Sequence, residues 1–421
     1  MNVFDELKWR GLVNQVSSEE KVRQYLSTPG RSMYCGFDPT ARSLHIGNLV
    51  PLIALLRFQR AGHNPIFLAG GGTGLIGDPS GKSEERLLNA PEKINDSLLN
   101  IRRQVEKIFG GEVHIVNNGD WLCSLTAIEL LRDVGKHFTV NWMMAKDSVK
   151  SRISREDVGI SFTEFSYMIL QAYDFYKLFC EHDCRLQIGG SDQWGNITAG
   201  TELIRRKSEG EAFALTFPLI TTADGKKFGK SEKGAIYLDP EITSPYEFYQ
   251  YWVRADDRDV INLLRYFTFL SREEIEELER ELAAAPEKRT AQKRLAAEMT
   301  TLVHGAETLR KIENATQVLF GGGDITTVDV ATLKSALQEA PSVFYPSLTE
   351  IPDLPQILVD LGLCPSKGQA KKDIKAGAVS LNTARVQDIG YRPSAEDLLH
   401  GEAVLLRKGK KHYGLAVVGK G

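Results

Sequence analysis

Short apolar runs alternate with amphipathic stretches along the first half of the chain. Arg31 to Phe37 is one such run, and Leu49 to Arg60 supplies Leu49, Leu52, Ile53, Leu56 and Phe58 as a buried helical face. Pro65 to Ala69 is a second apolar run. Strand, helix and strand within about forty residues form a βαβ unit, which implies a parallel sheet. Val113 to Asn117, Arg185 to Ile188 and Phe213 to Ile220 add strand patterns, while Asp120 to Asp157 reads as helices with loops. Ser161-Phe162-Thr163-Glu164 is a capping box that starts another helix. From Ser244 the pattern turns helical, with start signals at Ser244 to Glu247 and Ser271 to Glu274, and it stays helical to Phe320. Gly321-Gly322-Gly323-Asp324 breaks it, and the acidic, proline-dotted region to Pro355 reads as a flexible connector. In a last module, Ser366 caps a helix ended by Gly377, and Val379 to Leu381 opens a strand.

Composition narrows the class. A chain of 421 residues exceeds one ordinary core and suits about two to four domains. Apolar content of 42% and charged content of 25% fit a soluble globular protein. The start, MNVFDELKWR, carries acids early and no apolar core, so it does not read as a signal peptide. The longest apolar stretch, LVPLIALL, is too short to span a bilayer, so a cytoplasmic location without membrane contact is expected. Five cysteines argue against a disulfide scaffold. Cys180, His182 and Cys184 lie close together but lack a second pair at ligand spacing; cysteines buried at a helix end fit better, and no metal site is expected.

Charge is uneven. The net charge is −3, yet Leu361 to Gly421 holds 11 Lys and Arg against 5 Asp and Glu, a net of +6 that leaves −9 for the rest. A basic module on an acidic body points to a polyanionic partner. Lys367, Lys371 and Lys375 share a helix face with Lys372 beside them, and Arg407, Lys408, Lys410 and Lys411 form a second cluster. Such clusters suit contacts to a phosphate backbone more than base reading.

The candidate chemistry centres on Tyr34 to Asn48, YCGFDPTARSLHIGN. A strand feeds a helix through glycine and polar groups, with the helix starting near Ile46 to Asn48, and a helix N-terminus favours phosphate. The device recurs at Gly189 to Trp194, where Asp192 is expected to cap the helix carrying Ile197 to Arg206. Gly72, Gly74 and Gly77 fit a dinucleotide fingerprint, but the acid expected about twenty residues on should end a strand, and Asp96 sits in a helical stretch. Gly77 to Ser83 is one residue short of a phosphate-binding loop motif. Both patterns share one reading, a backbone that something approaches closely. Lys226, Lys227, Lys230 and Lys233 surround Gly229 and Ser231, either as a loop that closes over a triphosphate or as an exposed charged hairpin. At about 100° per residue, Tyr167, Gln171 and Asp174 share one narrow helix face. That polar stripe either satisfies itself or meets a ligand.

Taken in order, YCGFDPT, LHIGN, GLIGDPSGK, FTEFSY with QAYDF, QIGGSDQWGNITAG and KKFGKS make the chain resemble the bacterial tyrosyl-tRNA synthetases, a class I aminoacyl-tRNA synthetase family, over nearly its whole length. SKGQAKKDIKAGAV resembles the RNA-binding domain named after ribosomal protein S-four. The resemblance implies an α/β fold: a Rossmann-like parallel-sheet catalytic domain over 1–221, with a helical insertion near 120–160 as dimer interface. It further implies an all-helical anticodon-binding domain over 222–322, a linker over 323–353 and a small α+β RNA-binding domain over 354–421. The implied reaction joins L-tyrosine to tRNA(Tyr) through a tyrosyl-adenylate, with ATP, magnesium (Mg2+) and a homodimer.

By the same resemblance Tyr34 and Asp174 bracket the substrate phenol, Asp78, Tyr167 and Gln171 hold its ammonium group, and Gln187 and Gln193 line the pocket. Cys35, Gly190 and Asp192 contact ribose, Gly36, Asp38 and Gly47 cradle the nucleotide, and Thr40 and His45 engage the terminal phosphates. Lys82, Arg86, Lys227 and Lys230, with Ser231 alongside, hold pyrophosphate. Asn48 stands where the family signature usually ends in histidine, and keeps a neutral donor and acceptor for a ribose contact. Asn382-Thr383 replaces an Asn-Gly turn common in the tail module. Two other functions compete: an NAD-dependent oxidoreductase resting on the glycines, and a noncatalytic RNA-binding protein on a synthetase scaffold.

Overall fold

The computed structural model describes residues 2–80, 90–111, 113–146, 149–150, 153, 159–225, 228–231, 234–321, 323–337, 340–409 and 412–419. The chain divides into two compact units, Met1–Thr243 with Trp252–Leu295, and Ser244–Tyr251 with Ala296–Gly421.

The first unit is built on a six-stranded sheet. Its strands in chain order are β1 (Gln15–Val16), β2 (Ser32–Phe37), β3 (Asn64–Ala69), β4 (His114–Asn117), β5 (Cys184–Gly190) and β6 (Phe213–Phe217), arranged β1-β6-β5-β2-β3-β4. All pairs are parallel except the edge pair β1–β6. Helix α1 (Leu49–Arg60) links β2 to β3, as the apolar pattern predicts, with Pro51 tolerated in its first turn. Tyr34 lies opposite Ile66 of β3 on one side and Gln187 of β5 on the other. The chain runs outward from β2 to β4 and then crosses to β5, so the order reverses between β2 and β5. Ligands of open α/β sheets bind at that reversal, outside the carboxyl ends of the strands.

Helix α2 (Pro91–Phe109) packs Ile94, Ile101 and Val105 inward. Helix α3 (Phe162–His182) starts where predicted, Ser161 Oγ accepting from Glu164 N–H at 3.3 Å. Helix α4 (Trp194–Ser208) follows β5 through the turn Ser191–Gln193. Asp192 does not cap it. The intervening turn moves the helix start to Trp194, with Gln193 in the cap position and no side-chain cap bond. Cys184 is buried in β5 but Cys180 is exposed, so only one of the two cysteines matches the expectation of burial.

The glycine-rich stretch after β3 forms a single helical turn, Thr73–Ile76. Its close approach is made by the protein itself, because a Cβ on Gly70 would lie 2.1 Å from Asp38 Oδ1.

The second unit carries a five-stranded sheet ordered β11-β10-β12-β13-β9. These are β9 (Ser342–Tyr345), β10 (Val379–Leu381), β11 (Ala384–Arg385), β12 (Ala403–Lys408) and β13 (His412–Val418). Helix α5 (Lys367–Lys375) is capped by Ser366, buries Ala370 and Ile374, and is followed by Gly377 at φ +66°. The expected linker over 323–353 is folded in its described residues. Ile325, Val328, Val330 and Leu333 share a core with Leu399, Leu405 and Leu415, and β9 pairs in parallel with β13. Its apolar side chains sit at helical spacing among acids and prolines, and the composition hid them. At the β10–β11 hairpin, Asn382 (φ 48°) and Thr383 (φ 76°) both adopt the left-handed conformation that an Asn-Gly type I′ turn uses. Asn382 compensates by accepting from Leu405 N–H at 2.9 Å.

Candidate active site

The crevice at the carboxyl ends of β2, β3, β4 and β5 gathers the polar stripe of α3. Asp174 is 1% exposed, and its two oxygens accept from Asn118 Nδ2 at 2.8 Å and Trp121 Nε1 at 2.7 Å. Burial pushes its carboxyl up to about 7, while those two donors pull it down. Tyr34 is fully buried and its hydroxyl has no partner among the described residues. Burial first, and the charge of Asp174 next, lift its phenol well above the usual range. Gln187 Oε1 is likewise buried with no partner among the described residues. Buried polar atoms are nearly always bonded, so exceptions lining a crevice point to groups that a ligand supplies.

Further bonds tie this end of the crevice to the strand ends. Tyr167 Oη donates to Asp38 Oδ2 at 2.9 Å, and Thr73 Oγ1 donates to Asp38 Oδ1 at 2.7 Å. Asn118 Nδ2 also donates to Thr73 Oγ1, at 2.9 Å, so Asp38, Thr73, Asn118 and Asp174 form one chain. A second cluster joins Asp78, Gln171 and Gln193. Gln193 Nε2 donates to Asp78 Oδ2 at 2.5 Å, Ser80 N–H donates to Asp78 Oδ1 at 2.9 Å, and Gln171 Nε2 donates to Gln193 Oε1 at 3.3 Å. Asn196 adds a bond to Gln193 Oε1 at 3.2 Å. Sequence reading missed Asn118, Trp121, Thr73, Ser80 and Asn196. The available signal was the polar run Asn117-Asn118-Gly119-Asp120-Trp121 at the end of β4, at the same sheet edge as the other loops.

The other end of the crevice is held largely by bonds to backbone. His45 N–H donates to Asn48 Oδ1 at 3.0 Å, so the residue that departs from the family signature caps the turn that opens α1. A Cβ on Gly47 would lie 2.8 Å from His45 Cε1, so a side chain there would displace the His45 ring. Ile46 N–H donates to Ile236 O at 2.9 Å, Leu238 N–H to Leu44 O at 2.8 Å, and Ile236 N–H to Gly229 O at 3.1 Å. The glycine–lysine loop is thereby stitched to the His45 turn. Gly229 has φ +85°, and a Cβ there would stand 3.1 Å from Gly47 N. Phe228 anchors the loop with its ring 5.3 Å from that of Phe267 and 5.7 Å from that of Trp252.

Lys230 and Ser231 form strand β7, paired with β8 (Gly234–Ala235). Gly36, Thr40 and Gly47 are exposed. Cys35 is buried, and its thiol is raised by burial first and then by the nearby charge of Asp192, which stands beside Gly190. Lys82, Arg86 and Lys227 lie outside the described residues, as do Lys410 and Lys411 of the tail.

In the second unit Lys367, Lys371, Lys372 and Lys375 are exposed on α5, and Arg407 is half-buried on β12. Lys408 turns inward instead. Its ammonium pairs with Asp373 at 3.0 Å and donates to Leu363 O at 2.8 Å, so it braces the module more than it faces a polyanion. Among the described residues no group of three or more His, Cys, Asp or Glu could hold a metal ion, and no helix is long and apolar enough to cross a membrane.

A parallel sheet whose crevice joins a histidine turn to a glycine–lysine loop is the architecture of a class I aminoacyl-tRNA synthetase. Residues 28–321 match the family model for tRNA synthetases class I (W and Y), and residues 332–416 match the tyrosine--tRNA ligase SYY-like C-terminal domain. The chain is 55% identical over 419 residues to the tyrosine--tRNA ligase of Geobacillus kaustophilus, covering 98% of this chain and 99% of that one. It is 51% identical over 419 residues to tyrosine--tRNA ligase 1 of Bacillus subtilis, covering 98% of each. Among solved structures, a C-terminally truncated Aspergillus nidulans mitochondrial tyrosyl-tRNA synthetase matches with TM-score 0.70 and 30% identity, over 76% of this chain and 94% of that one. The chain belongs to the tyrosine--tRNA ligase family.

Proposed function

We propose that the crevice reads L-tyrosine at its Tyr34–Asp174 end and activates it with ATP at its His45–Lys230 end. The chain is a ligase that attaches tyrosine to tRNA in two steps, through a tyrosyl-adenylate and release of pyrophosphate. The observation that carries the residue assignment is the unpartnered, fully buried Tyr34 hydroxyl in the field of the Asp174 carboxylate. A substrate phenol accepts from the first and donates to the second. Phenylalanine leaves the Tyr34 hydroxyl without a partner and takes the phenol donor away from Asp174, which is costly in a buried site.

Asp78, Gln171 and Tyr167 then take the ammonium group, and Gln187 and Gln193 lie beside the remaining polar edge. The tyrosine carboxylate is ionised near neutral pH, so the first step needs no general base. It needs in-line placement on the α-phosphate and stabilisation of the charge that grows on pyrophosphate. The exposed glycines at 36 and 47 let ATP approach the backbone. Cys35, Gly190 and Asp192 take the ribose. Asn48 Oδ1 is engaged in capping, so its Nδ2 is the atom that donates there. Thr40 and His45 meet the terminal phosphates, and Lys82, Arg86, Lys227 and Lys230 gather the pyrophosphate.

Magnesium bound to the phosphates of ATP would supply further neutralisation of their charge. Asp38 and Asp78 each already accept at least two protein donors, so they are not the open oxygen set that a dedicated magnesium site requires. The exposed lysines of α5, with Arg407, Lys410 and Lys411, receive the phosphate backbone of tRNA. Exposed Ile128, Leu131, Val140, Met144 and Phe162 suit burial against a second copy, and a homodimer working in the cytoplasm follows as our reading.

Tyrosine-dependent exchange of labelled pyrophosphate into ATP tests the assignment. Exchange that requires tyrosine and disappears in Lys230→Ala supports it, and folded protein without exchange overturns it.

A further inference from the structure

The His45 turn and the lysine loop share a third support, on a helix that the catalytic assignment leaves out. Gln104 lies on α2, the helix that follows residues 81–89. Its Oε1 accepts from Leu44 N–H at 3.1 Å, and its Nε2 donates to Ser43 Oγ at 3.1 Å. The Ser43 hydroxyl is 3% exposed, donates to Leu44 O at 2.7 Å and accepts from Asp239 N–H at 3.1 Å. A hydroxyl offers one donor and two acceptor positions, so these bonds use all of its capacity. Leu44 O also receives Leu238 N–H, at 2.8 Å.

One side-chain amide therefore fixes the residues just before His45 and, through Ser43, the returning arm of the loop that carries Gly229 and Lys230. Backbone bonds also join these two segments to each other, and the ion pair from Arg42 to Glu241 at 2.7 Å is exposed and contributes little. The Gln104–Ser43 link is the one that ties both segments to α2.

We propose that Gln104, acting through Ser43, is a positioning residue for the triphosphate end of the crevice. It holds the His45 turn and the lysine loop in one register on α2. The proposal rests on the reading of His45 and Lys230 as phosphate-engaging groups. The bonds that fix Asp174, Tyr167 and Asp78 run through other residues, so tyrosine binding does not depend on Gln104.

The test uses the full chain and the variants Gln104→Ala, Gln104→Glu and Ser43→Ala. Tyrosine affinity is measured without ATP, and the rate of tyrosyl-adenylate formation is followed against ATP concentration. Tyrosine affinity is expected to stay within about twofold of wild type, while adenylate formation slows about tenfold in Gln104→Ala. Gln104→Glu keeps the acceptor for Leu44 N–H and loses the donor to Ser43, so it is expected to fall between wild type and Gln104→Ala. It also serves if the alanine variant does not fold. Lys230→Ala is expected to slow Gln104→Ala less than it slows wild type, because both act on one register.

Unchanged adenylate formation, a parallel loss of tyrosine affinity, or full additivity with Lys230→Ala would each overturn the proposal. A Lys230→Ala enzyme as fast as wild type would instead remove the phosphate reading on which it rests.

Discussion

The two ends of the crevice are held by different means. At the tyrosine end, side chains bond to side chains in a buried chain from Trp121 through Asp174, Asn118 and Thr73 to Asp38 and Tyr167. At the nucleotide end, the His45 turn and the lysine loop meet through backbone bonds, and Gly36, Thr40 and Gly47 stay exposed. The difference follows from what each end recognises. One neutral hydroxyl is distinguished from its absence only if the receiving atoms are already dry, fixed and unsatisfied. A triphosphate is gripped by cations in a loop that must also release pyrophosphate, and such loops work by closing and opening.

The comparison breaks first at Asp174. Asp174→Ala is expected to lower the preference for tyrosine over phenylalanine in pyrophosphate exchange by about a hundredfold, with the KM for ATP little changed. Equal losses for both substrates would erase the distinction between the ends. Trp121→Phe keeps the ring and removes one donor to the carboxylate. A loss of about tenfold in tyrosine affinity is expected, as for one hydrogen bond to a charged group. At the other end, Asn48→Ala removes the acceptor for His45 N–H. We expect the KM for ATP to rise about fivefold, the scale of a lost helix cap, while tyrosine affinity holds.

Legibility in the sequence follows the same division. β2, α1 and β3 were readable because apolar runs and one amphipathic face sit where burial demands them. The shared face of Tyr167, Gln171 and Asp174 came from helical periodicity alone. Asn118 and Trp121 escaped because they follow β4 in a polar run that has no period, and only the sheet brings that run beside α3. The resemblance sets Asp38 in the nucleotide cradle, and only the fold adds that its carboxylate accepts from Tyr167 and Thr73. Lys408 has the sequence context of a surface cation, and only the fold brings Asp373 against it. The folded stretch within 323–353 was hidden by its glycines, acids and prolines, although Val330, Leu333 and Leu337 already stood at helical spacing.

Protonation of Asp174 gives the account its sharpest handle. A buried acid whose native pKa lies above its unfolded value stabilises the fold below the unfolded value, and that contribution is lost as pH rises through the native one. With the native value near about 7, Asp174 is retained at some cost to stability above neutrality, as expected of a group kept for recognition. The same titration governs the substrate, because only the ionised carboxylate is a pure acceptor for the phenol.

The most direct measurement is therefore tyrosine affinity without ATP across neutral pH, in the wild-type chain, Trp121→Phe and Asp174→Asn. The account predicts affinity that rises with pH with a midpoint near about 7 in wild type, a higher midpoint in Trp121→Phe and no such step in Asp174→Asn. A wild-type profile without the step, or the same step retained in Asp174→Asn, would contradict it.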